Sequence, residues 1–300
     1  MMPEPRSQSR EFQCAAKRKE AHMRIRFLSL IVLVLLCGAT LAHAAAPPTY
    51  YLALGDSLAI GLQPSASGDV ATNQGYPDDL YAVFRFLKPG LKLEKLGCSG
   101  ETTTTMIHGG LCNYAGSGSQ LAAAVSFLQT HKVALITLDI GANDVDGCVN
   151  LSPLNIDMTC VQEGILSVSG NLPLILTELR EAAGPNTPIV AMNYYDPFLA
   201  AWTLGPTGQA LADESLSAAT TFNGVLEGVY KAFDIPVADV AKAFHINDFA
   251  PVPIINLPIN VFLALTWTWM GAPAPLGPDI HPNAAGYAVI AAEFAKVAKP

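Results

Sequence analysis

The sequence predicts an α/β fold, a three-layer α/β/α sandwich around a central, mostly parallel sheet. Short apolar runs rich in β-branched residues alternate along the chain with longer segments of helical periodicity. Such alternation is typical of a parallel sheet with helices on both faces. Four polar motifs also lie at or just beyond the ends of apolar runs, where ligands bind in sheets of this kind.

The alternation assigns five strands and five helices. The predicted strands are residues 49–54, 91–96, 133–140, 188–193 and 235–239. The predicted helices are residues 76–87, 119–129, 164–183, 208–232 and 283–298. No internal repeat or linker divides the chain, and about 250 residues is an ordinary size for one α/β domain. We therefore expect a single domain over residues 45–300.

Residues 1–44 are expected to be a leader that includes a signal peptide. Met23-Arg24-Ile25-Arg26 is a short basic segment, residues 27–41 are apolar, and Ala42-His43-Ala44 is a cleavage signal. Met23 is the expected start, and an unusually long basic region is the alternative. A lipoprotein site at Cys37 is disfavoured by the large leucine before it, and a membrane anchor by the short apolar stretch.

The net negative charge of the chain limits the kinds of molecule that it can bind. The full chain has a net charge of −8, and residues 45–300 carry 10 Lys or Arg against 22 Asp or Glu. Binding phosphates requires clustered Lys and Arg, so nucleic acid is excluded as a partner. No spacing of His and Cys resembles a zinc site, and no cofactor is expected. We expect a secreted or periplasmic protein without a stable membrane anchor; the sequence does not indicate the oligomeric state.

Four cysteines remain beyond the expected cleavage site: Cys98, Cys112, Cys148 and Cys160. An even number in an exported protein suggests two disulfides. Of the three pairings, we favour Cys98–Cys112 and Cys148–Cys160, because each closes a short local loop. Free buried thiols are the alternative.

Ser57 directly follows the first predicted strand and is the candidate nucleophile. It lies in Gly55-Asp56-Ser57-Leu58, where glycine permits a tight turn. A serine hydroxyl needs activation, such as by an adjacent base, to act as a nucleophile at neutral pH. The alternative role for Ser57 is a helix cap. Asp56 is expected to organise the turn.

His281 is the candidate base. It lies in Asp279-Ile280-His281-Pro282-Asn283, beside an acid and just before the last predicted helix, which Asn283 can cap. Three rivals lack a matching motif: His108, His131 and His245. A serine and a histidine at strand ends indicate a serine hydrolase.

Two further motifs close apolar runs and supply candidate oxyanion donors: Gly97-Cys98-Ser99-Gly100 and Gly141-Ala142-Asn143-Asp144. Taken in order with the serine and histidine motifs, they resemble the SGNH family, also called GDSL esterases and lipases. The resemblance covers nearly all of the chain beyond residue 48. It implies a flavodoxin-like SGNH hydrolase fold and a secreted serine hydrolase that cleaves carboxylic esters through an acyl-enzyme.

The resemblance also implies three oxyanion donors, which are the backbone N–H groups of Ser57 and Gly100 and the side-chain amide of Asn143. Gly97 is the rival glycine, but Ser99-Gly100-Glu101-Thr102 matches the S-G-x-T pattern of the family. A turn residue is the alternative role for Asn143. Asp144 is expected to be structural.

The catalytic acid departs from the family pattern. The family has D-x-x-H, but Pro278 occupies the position three residues before His281, and Asp279 lies only two before it. Asp279 is the candidate acid if an altered loop lets it reach the imidazole. A backbone carbonyl near Gly277 or Pro278, or a remote acid, are the alternatives.

An uncharged apolar segment, residues 249–278, precedes His281. Several prolines and Asn260 interrupt its first half, so the remainder is too short to span a bilayer. We expect a hydrophobic wall or lid beside the site, with a core-packing loop as the alternative. An apolar wall favours lipid or short-chain esters as substrates. A carbohydrate O-deacetylase of the same fold and a non-catalytic exported binding module are the alternative functions.

Overall fold

The computed structural model describes residues 48–299, and a parallel sheet lies at its centre. The expected signal peptide and the start at Met23 lie outside the described residues. The strands are β1 (Thr49–Gly55), β2 (Leu62–Gln63), β3 (Val70–Ala71), β4 (Leu91–Lys95), β5 (Lys132–Asp139), β6 (Val149–Leu151), β7 (Leu154–Ile156), β8 (Ile189–Met192) and β9 (Val237–Ala238). The central sheet has the order β4-β1-β5-β8-β9 with every pair parallel, which confirms the predicted fold class.

Helices cover both faces of this sheet. They are α1 (Tyr76–Leu87), α2 (Thr103–His108), α3 (Gln120–Thr130), α4 (Met158–Ala183), α5 (Pro206–Ala232), α6 (Val240–Ala243), α7 (Ile259–Trp267) and α8 (Ala284–Val297). The chain steps from β1 to β4 in one direction, and from β5 to β8 and β9 in the other. A connection between two parallel strands of one sheet crosses over in a right-handed sense. Helix α1 therefore lies on one face of the sheet, and α4 and α5 lie on the other. Helix α8 packs against α1 and completes the three layers.

The strand order reverses between β1 and β5, and this places one sheet edge at the centre of the molecule. Gly55, the last residue of β1, lies opposite Asp139, the last residue of β5. Strand β4 ends on the other side of β1. Since ligands bind where the strand order of an α/β sheet reverses, the loops that follow β1, β4 and β5 surround the expected site.

The middle of the sheet is buried on both faces. Residues 51–54 of β1 are fully buried, and so are Leu135, Ile136 and Leu138 of β5. A strand covered by helices on both sides is apolar throughout rather than at alternate positions. This explains why the strands are visible in the sequence as continuous apolar runs.

The largest difference in the helices is the start of α4, which begins at Met158 rather than at residue 164. The Asp157 side chain caps this helix by accepting hydrogen bonds from the N–H groups of Thr159 and Cys160, at 3.0 and 3.1 Å. The prediction missed α2, α6 and α7, which have nine residues or fewer and thus show no helical period.

The uncharged segment, residues 249–278, folds into α7 and a short 3₁₀ helix, Trp269–Gly271. Helix α7 packs against α8 and against the 3₁₀ helix Pro197–Leu204. Among the described residues, no helix has the length and apolar character needed to cross a membrane.

Two disulfides brace loops at the same edge of the sheet. Cys98 is bonded to Cys112 and Cys148 to Cys160, with Cα–Cα distances of 6.1 and 5.6 Å. These are the pairs favoured by the short loops they close. The first closes the loop after β4, and the second ties the start of the β6–β7 hairpin to the first turn of α4.

We expect Gly55→Ala to lower the free energy of unfolding by more than about 3 kcal/mol, because overpacking and backbone strain add at this position. Gly55 has a φ of +138°, and an added Cβ lies 1.9 Å from the Asp139 carbonyl oxygen. Urea denaturation measures the change. Gly90→Ala is the control, because its Cβ meets nothing within 4 Å. Equal losses in the two variants contradict the prediction.

Candidate active site

The side chains of Ser57, His281 and Asp279 form a continuous line of hydrogen bonds. His281 Nε2 lies 2.9 Å from Ser57 Oγ, and His281 Nδ1 lies 2.8 Å from Asp279 Oδ1. Ser57 and His281 are 7% and 9% exposed, so bulk water has little access to the bond between them. The structure therefore brings together the three residues predicted as nucleophile, base and acid.

A tight loop lets Asp279 reach the ring from only two residues away. Asp279 Oδ1 also accepts the backbone N–H of His281 at 2.8 Å, so one oxygen holds both the ring and the backbone. The Trp269 N–H donates to the His281 carbonyl at 3.0 Å, and the Asp279 N–H donates to the Trp269 carbonyl at 3.3 Å. Asn283 Oδ1 caps α8 by accepting the N–H groups of Ala285 and Gly286, at 3.0 and 3.3 Å. This cap fixes the far end of the loop.

Asp279 sets the electrostatics of the histidine. Burial alone lowers the pKa of His281, but the hydrogen bond and the charge of Asp279 outweigh it and raise that pKa above its usual value. Burial acts to raise the pKa of Asp279, and the hydrogen bond and charge of His281 lower it overall. The pair thus favours an ionised carboxylate beside an imidazole that readily accepts a proton.

Asp69 lies beside this pair and was missed in the sequence. It follows β2 in the β2–β3 hairpin, is exposed, and has a carboxylate oxygen within 4.8 Å of ligand atoms of both Asp279 and His281. Its charge adds to the rise in the pKa of His281. The position of the hairpin relative to residues 279–281 is a tertiary property, and no local motif marks it.

The turn that carries Ser57 is built on two buried carboxyl groups. The Asp56 N–H donates to the carbonyl oxygen and to Oδ2 of Asp139, at 3.1 and 3.2 Å. Asp56 Oδ1 accepts the Leu58 N–H at 2.9 Å, as expected for a residue that organises the turn. Tyr76 donates a short hydrogen bond to Asp139. Burial raises the pKa of both acids, and the charge of Asp56 raises that of Asp139 further.

Gln120 is a second residue that the sequence did not reveal. Its fully buried side chain accepts the Gly55 N–H at 2.7 Å and donates to the Gly55 carbonyl at 2.8 Å. It also donates to Glu101 Oε2 at 2.9 Å. Gln120 therefore links the serine turn to the loop that carries Gly100. As the first residue of α3, it carries no signal of this long-range contact.

The predicted oxyanion residues lie on two loops that are tied to each other. Asn143 Nδ2 donates to the Glu101 carbonyl at 3.1 Å, and its second hydrogen is free to point elsewhere. Asp144 accepts the N–H and the hydroxyl of Thr103, at 2.8 and 2.7 Å, which is a structural role. Gly100 has a φ of +78°, a conformation that favours glycine. Asn143 lines the pocket with Ser57, whereas Gly100 lies on the exposed loop beside it.

A pocket opens beside Ser57 and His281. Its walls come from the loop after β5, the β6–β7 hairpin, residues 194–198 and one face of α5. Most of the lining side chains are apolar or aromatic: Leu58, Val145, Val149, Ile156, Val161, Phe198, Phe222 and Ile280. A serine hydrogen-bonded to a histidine beside an apolar pocket is suited to transferring an acyl group with a hydrocarbon chain.

The expectation of a wall or lid from residues 249–278 is wrong, because none of these residues lines the pocket. They lie under the loop that carries His281. Backbone hydrogen bonds join Trp267 to Asn283 and Trp269 to His281, each at 3.0 Å. Thr268 and Pro282 form an isolated antiparallel β-bridge. The segment supports the loop that carries His281, and the apolar pocket comes from other parts of the chain.

The three rival histidines lie outside this arrangement. His108 ends α2 and His131 caps the end of α3, where it stacks on Phe127 with ring centroids 4.1 Å apart. His245 pairs with Asp248 at 3.4 Å on the surface. None of the three lines the pocket.

Comparison with known proteins points to one family. Residues 53–289 match the family model described as "GDSL-like Lipase/Acylhydrolase family". A search of the curated proteins finds no match.

Three solved structures share the fold. A lipase from a goat rumen metagenome is 19% identical, with a TM-score of 0.53 over 83% of this chain and 96% of that chain. An extracellular lipase from Streptomyces rimosus is 18% identical, with a TM-score of 0.54 over 83% and 100%. A phospholipase A1 from Streptomyces albidoflavus NA297 is 20% identical, with a TM-score of 0.52 over 84% and 100%.

We expect Asp279→Asn to lower the pKa of His281 by about one pH unit or more, because burial remains while the opposing charge is lost. NMR titration of the imidazole measures the shift. Asp248→Asn, which removes the partner of His245 instead, is the control and leaves the His281 titration in place. An unchanged pKa in Asp279→Asn contradicts the assigned contact.

Proposed function

We propose that this chain, which belongs to the GDSL-like lipase/acylhydrolase family, is an exported esterase or lipase that cleaves carboxylic esters through an acyl-enzyme on Ser57. One observation carries the proposal. The line Ser57–His281–Asp279 has the contacts that base-assisted attack by a hydroxyl requires, beside a pocket able to hold an acyl group.

In the proposed first half-reaction, Ser57 Oγ attacks the ester carbonyl carbon and its proton passes to His281 Nε2. The tetrahedral intermediate collapses, the bond to the alcohol oxygen breaks, and His281 returns the proton to the departing alcohol. Water then attacks the acyl-enzyme, again giving a proton to His281. That proton returns to Ser57 Oγ as the carboxylic acid leaves.

Asp279 holds the ring with Nδ1 protonated, so that Nε2 is the free acceptor facing Ser57. Its charge stabilises the imidazolium that forms in each half-reaction. Because the pKa of His281 is raised, we expect the acid limb of the rate profile to lie above the ordinary histidine value of 6.5. Activity rises with pH through that limb, since the neutral imidazole is the active form.

The Ser57 and Gly100 N–H groups and the Asn143 amide are the proposed oxyanion donors. Gln120, Glu101 and Asp144 hold these groups in place, because each bonds across two of the loops. Donors that are fixed before the reaction need no reorganisation as negative charge develops, which is the main source of their effect on rate.

Export is the proposed location. Two disulfides are typical of oxidising compartments, and residues 1–44 have the sequence pattern of a signal peptide. The proposed mature protein is the single domain of residues 45–300. It requires no cofactor in this mechanism.

We expect the protein to hydrolyse p-nitrophenyl esters from acetate through palmitate and Ser57→Ala to show no turnover. The chain-length optimum separates a short-chain esterase from a lipase. A serine-reactive phosphonate labels the wild-type protein once and leaves Ser57→Ala unlabelled, as mass spectrometry records. Labelling without ester turnover supports a carbohydrate O-deacetylase. No labelling at all supports a non-catalytic module.

We expect Asn143→Ala to lower kcat by about 100- to 1,000-fold with a smaller change in KM, because the lost donor acts mainly in the transition state. Steady-state kinetics on the best ester of the series measures it. Asn73→Ala, an exposed asparagine before α1, is the control and keeps full activity. A rise in KM with an unchanged kcat contradicts an oxyanion role for Asn143.

A further inference from the structure

The pocket beside Ser57 is rich in carboxyl groups for an apolar acyl site. Three carboxyl groups line it: Asp56, Asp146 and Asp196. No lysine or arginine is among the described residues that line it, and His281 is its one basic side chain. Burying like charges together is unfavourable unless a ligand or a proton compensates for them.

Asp146 is the acid without a partner. The Asp196 carboxylate accepts the Ser215 hydroxyl and the Phe198 N–H, each at 2.9 Å, so its charge is satisfied locally. Asp146 is half-buried, and among the described residues none donates a hydrogen bond to its carboxyl group, which is open to the pocket. Burial, followed by the charges of Asp56 and Asp196, raises the pKa of Asp146 to about 8, and His281 opposes that rise.

Aromatic side chains complete the lining. Tyr194, Tyr195, Phe198 and Phe222 all line the pocket, and the rings of Tyr194 and Phe222 lie 5.7 Å apart at a tilt of 43°. Aromatic faces attract cations, and sites that combine them with carboxylates bind ammonium and quaternary ammonium groups. Hydrocarbon chains also fit such walls, but they offer no partner to the carboxyl group of Asp146.

We propose that this pocket binds the cationic nitrogen of an ester substrate, an ammonium or quaternary ammonium group, with Asp146 as its counter-charge. The inference rests on the proposed ester hydrolysis and specifies its substrate class. The cation pairs with the ionised carboxyl group of Asp146, and the surrounding rings contact its carbon substituents.

Preference for cationic esters is expected to increase as the pH rises through about 8, where Asp146 ionises in the empty pocket. The titratable groups that face it are Asp56, Asp196, Tyr195 and His281. A bound cation favours the ionised carboxyl group, so binding and ionisation support each other.

The first experiment compares esters that differ in charge and not in shape. Choline butyrate is paired with 3,3-dimethylbutyl butyrate, which places the charge in the alcohol. Ethyl 4-(trimethylammonio)butyrate is paired with ethyl 5,5-dimethylhexanoate, which places it in the acyl group. We expect the wild-type protein to show a kcat/KM at least about tenfold higher for the cationic member of one pair at pH 8.

Asp146→Asn is expected to reduce that ratio to near one. Using a ratio within one protein removes any general loss of activity or of folded protein. Asp213→Asn is the matched control, because Asp213 is exposed on α5 and its replacement changes the net charge equally. The control is expected to keep the wild-type ratio.

Calorimetry tests the site independently of catalysis, with choline and its uncharged isostere 3,3-dimethyl-1-butanol as probes. We expect choline to bind the wild-type and Asp213→Asn proteins, and to bind Asp146→Asn at least about tenfold more weakly. Equal binding of the two probes, or ester ratios near one in both pairs, overturns the proposal. Choline binding without turnover of any ester supports the cation site and rejects the proposed hydrolysis.

Discussion

The site depends on how one peptide unit, that of Gly55, is held at the edge of the sheet. Its carbonyl accepts hydrogen bonds from Cys98 and Gln120, and its N–H donates back to Gln120. The next N–H, of Asp56, is bound by Asp139. These contacts come from the ends of β4 and β5 and from α3, so the strands that form the core also fix the serine. A side chain at position 55 is incompatible with this packing, and glycine is therefore required by both the fold and the chemistry.

Much of this arrangement could be predicted from the sequence, because it follows from order along the chain. Parallel strands end at one edge, so motifs that close β1, β4 and β5 have to meet there. The histidine motif closes no strand of the sheet and was recognisable from its resemblance to the last motif of the family. Gln120, Asp69 and Asp146 could not be found in this way, since each acts through a partner distant in sequence and lies in no motif. The role of residues 249–278 was predicted wrongly: composition shows that a segment is apolar, but not what it covers.

The two tasks proposed for the site, reaction with the ester and binding of the substrate, fall on different kinds of structure. The bonds of Ser57, His281 and Asp279 are anchored to the sheet and to the base of α8, where the backbone is held by many hydrogen bonds. The pocket wall is assembled from a small hairpin, a 3₁₀ segment and one face of α5, braced by the bond between Cys148 and Cys160. Selectivity can therefore change by substitution in the wall while the reacting groups stay fixed, as is common where function is grafted on a shared fold.

The raised pKa values of three aspartates make the stability of the protein depend on pH. Asp139, Asp146 and Asp196 each have a raised pKa in the folded protein, whereas in the unfolded chain they titrate near the ordinary value of 3.8. Between pH 3.8 and the raised pKa of each group, the folded state binds more protons than the unfolded state. Folding therefore takes up protons in this range of pH. Their contribution to stability grows as the medium is acidified from about pH 8, the pKa of Asp146, towards pH 4. Asp279, with its lowered pKa, opposes this trend only at the acid end. A chain built in this way becomes more stable in mild acid and less stable in alkali.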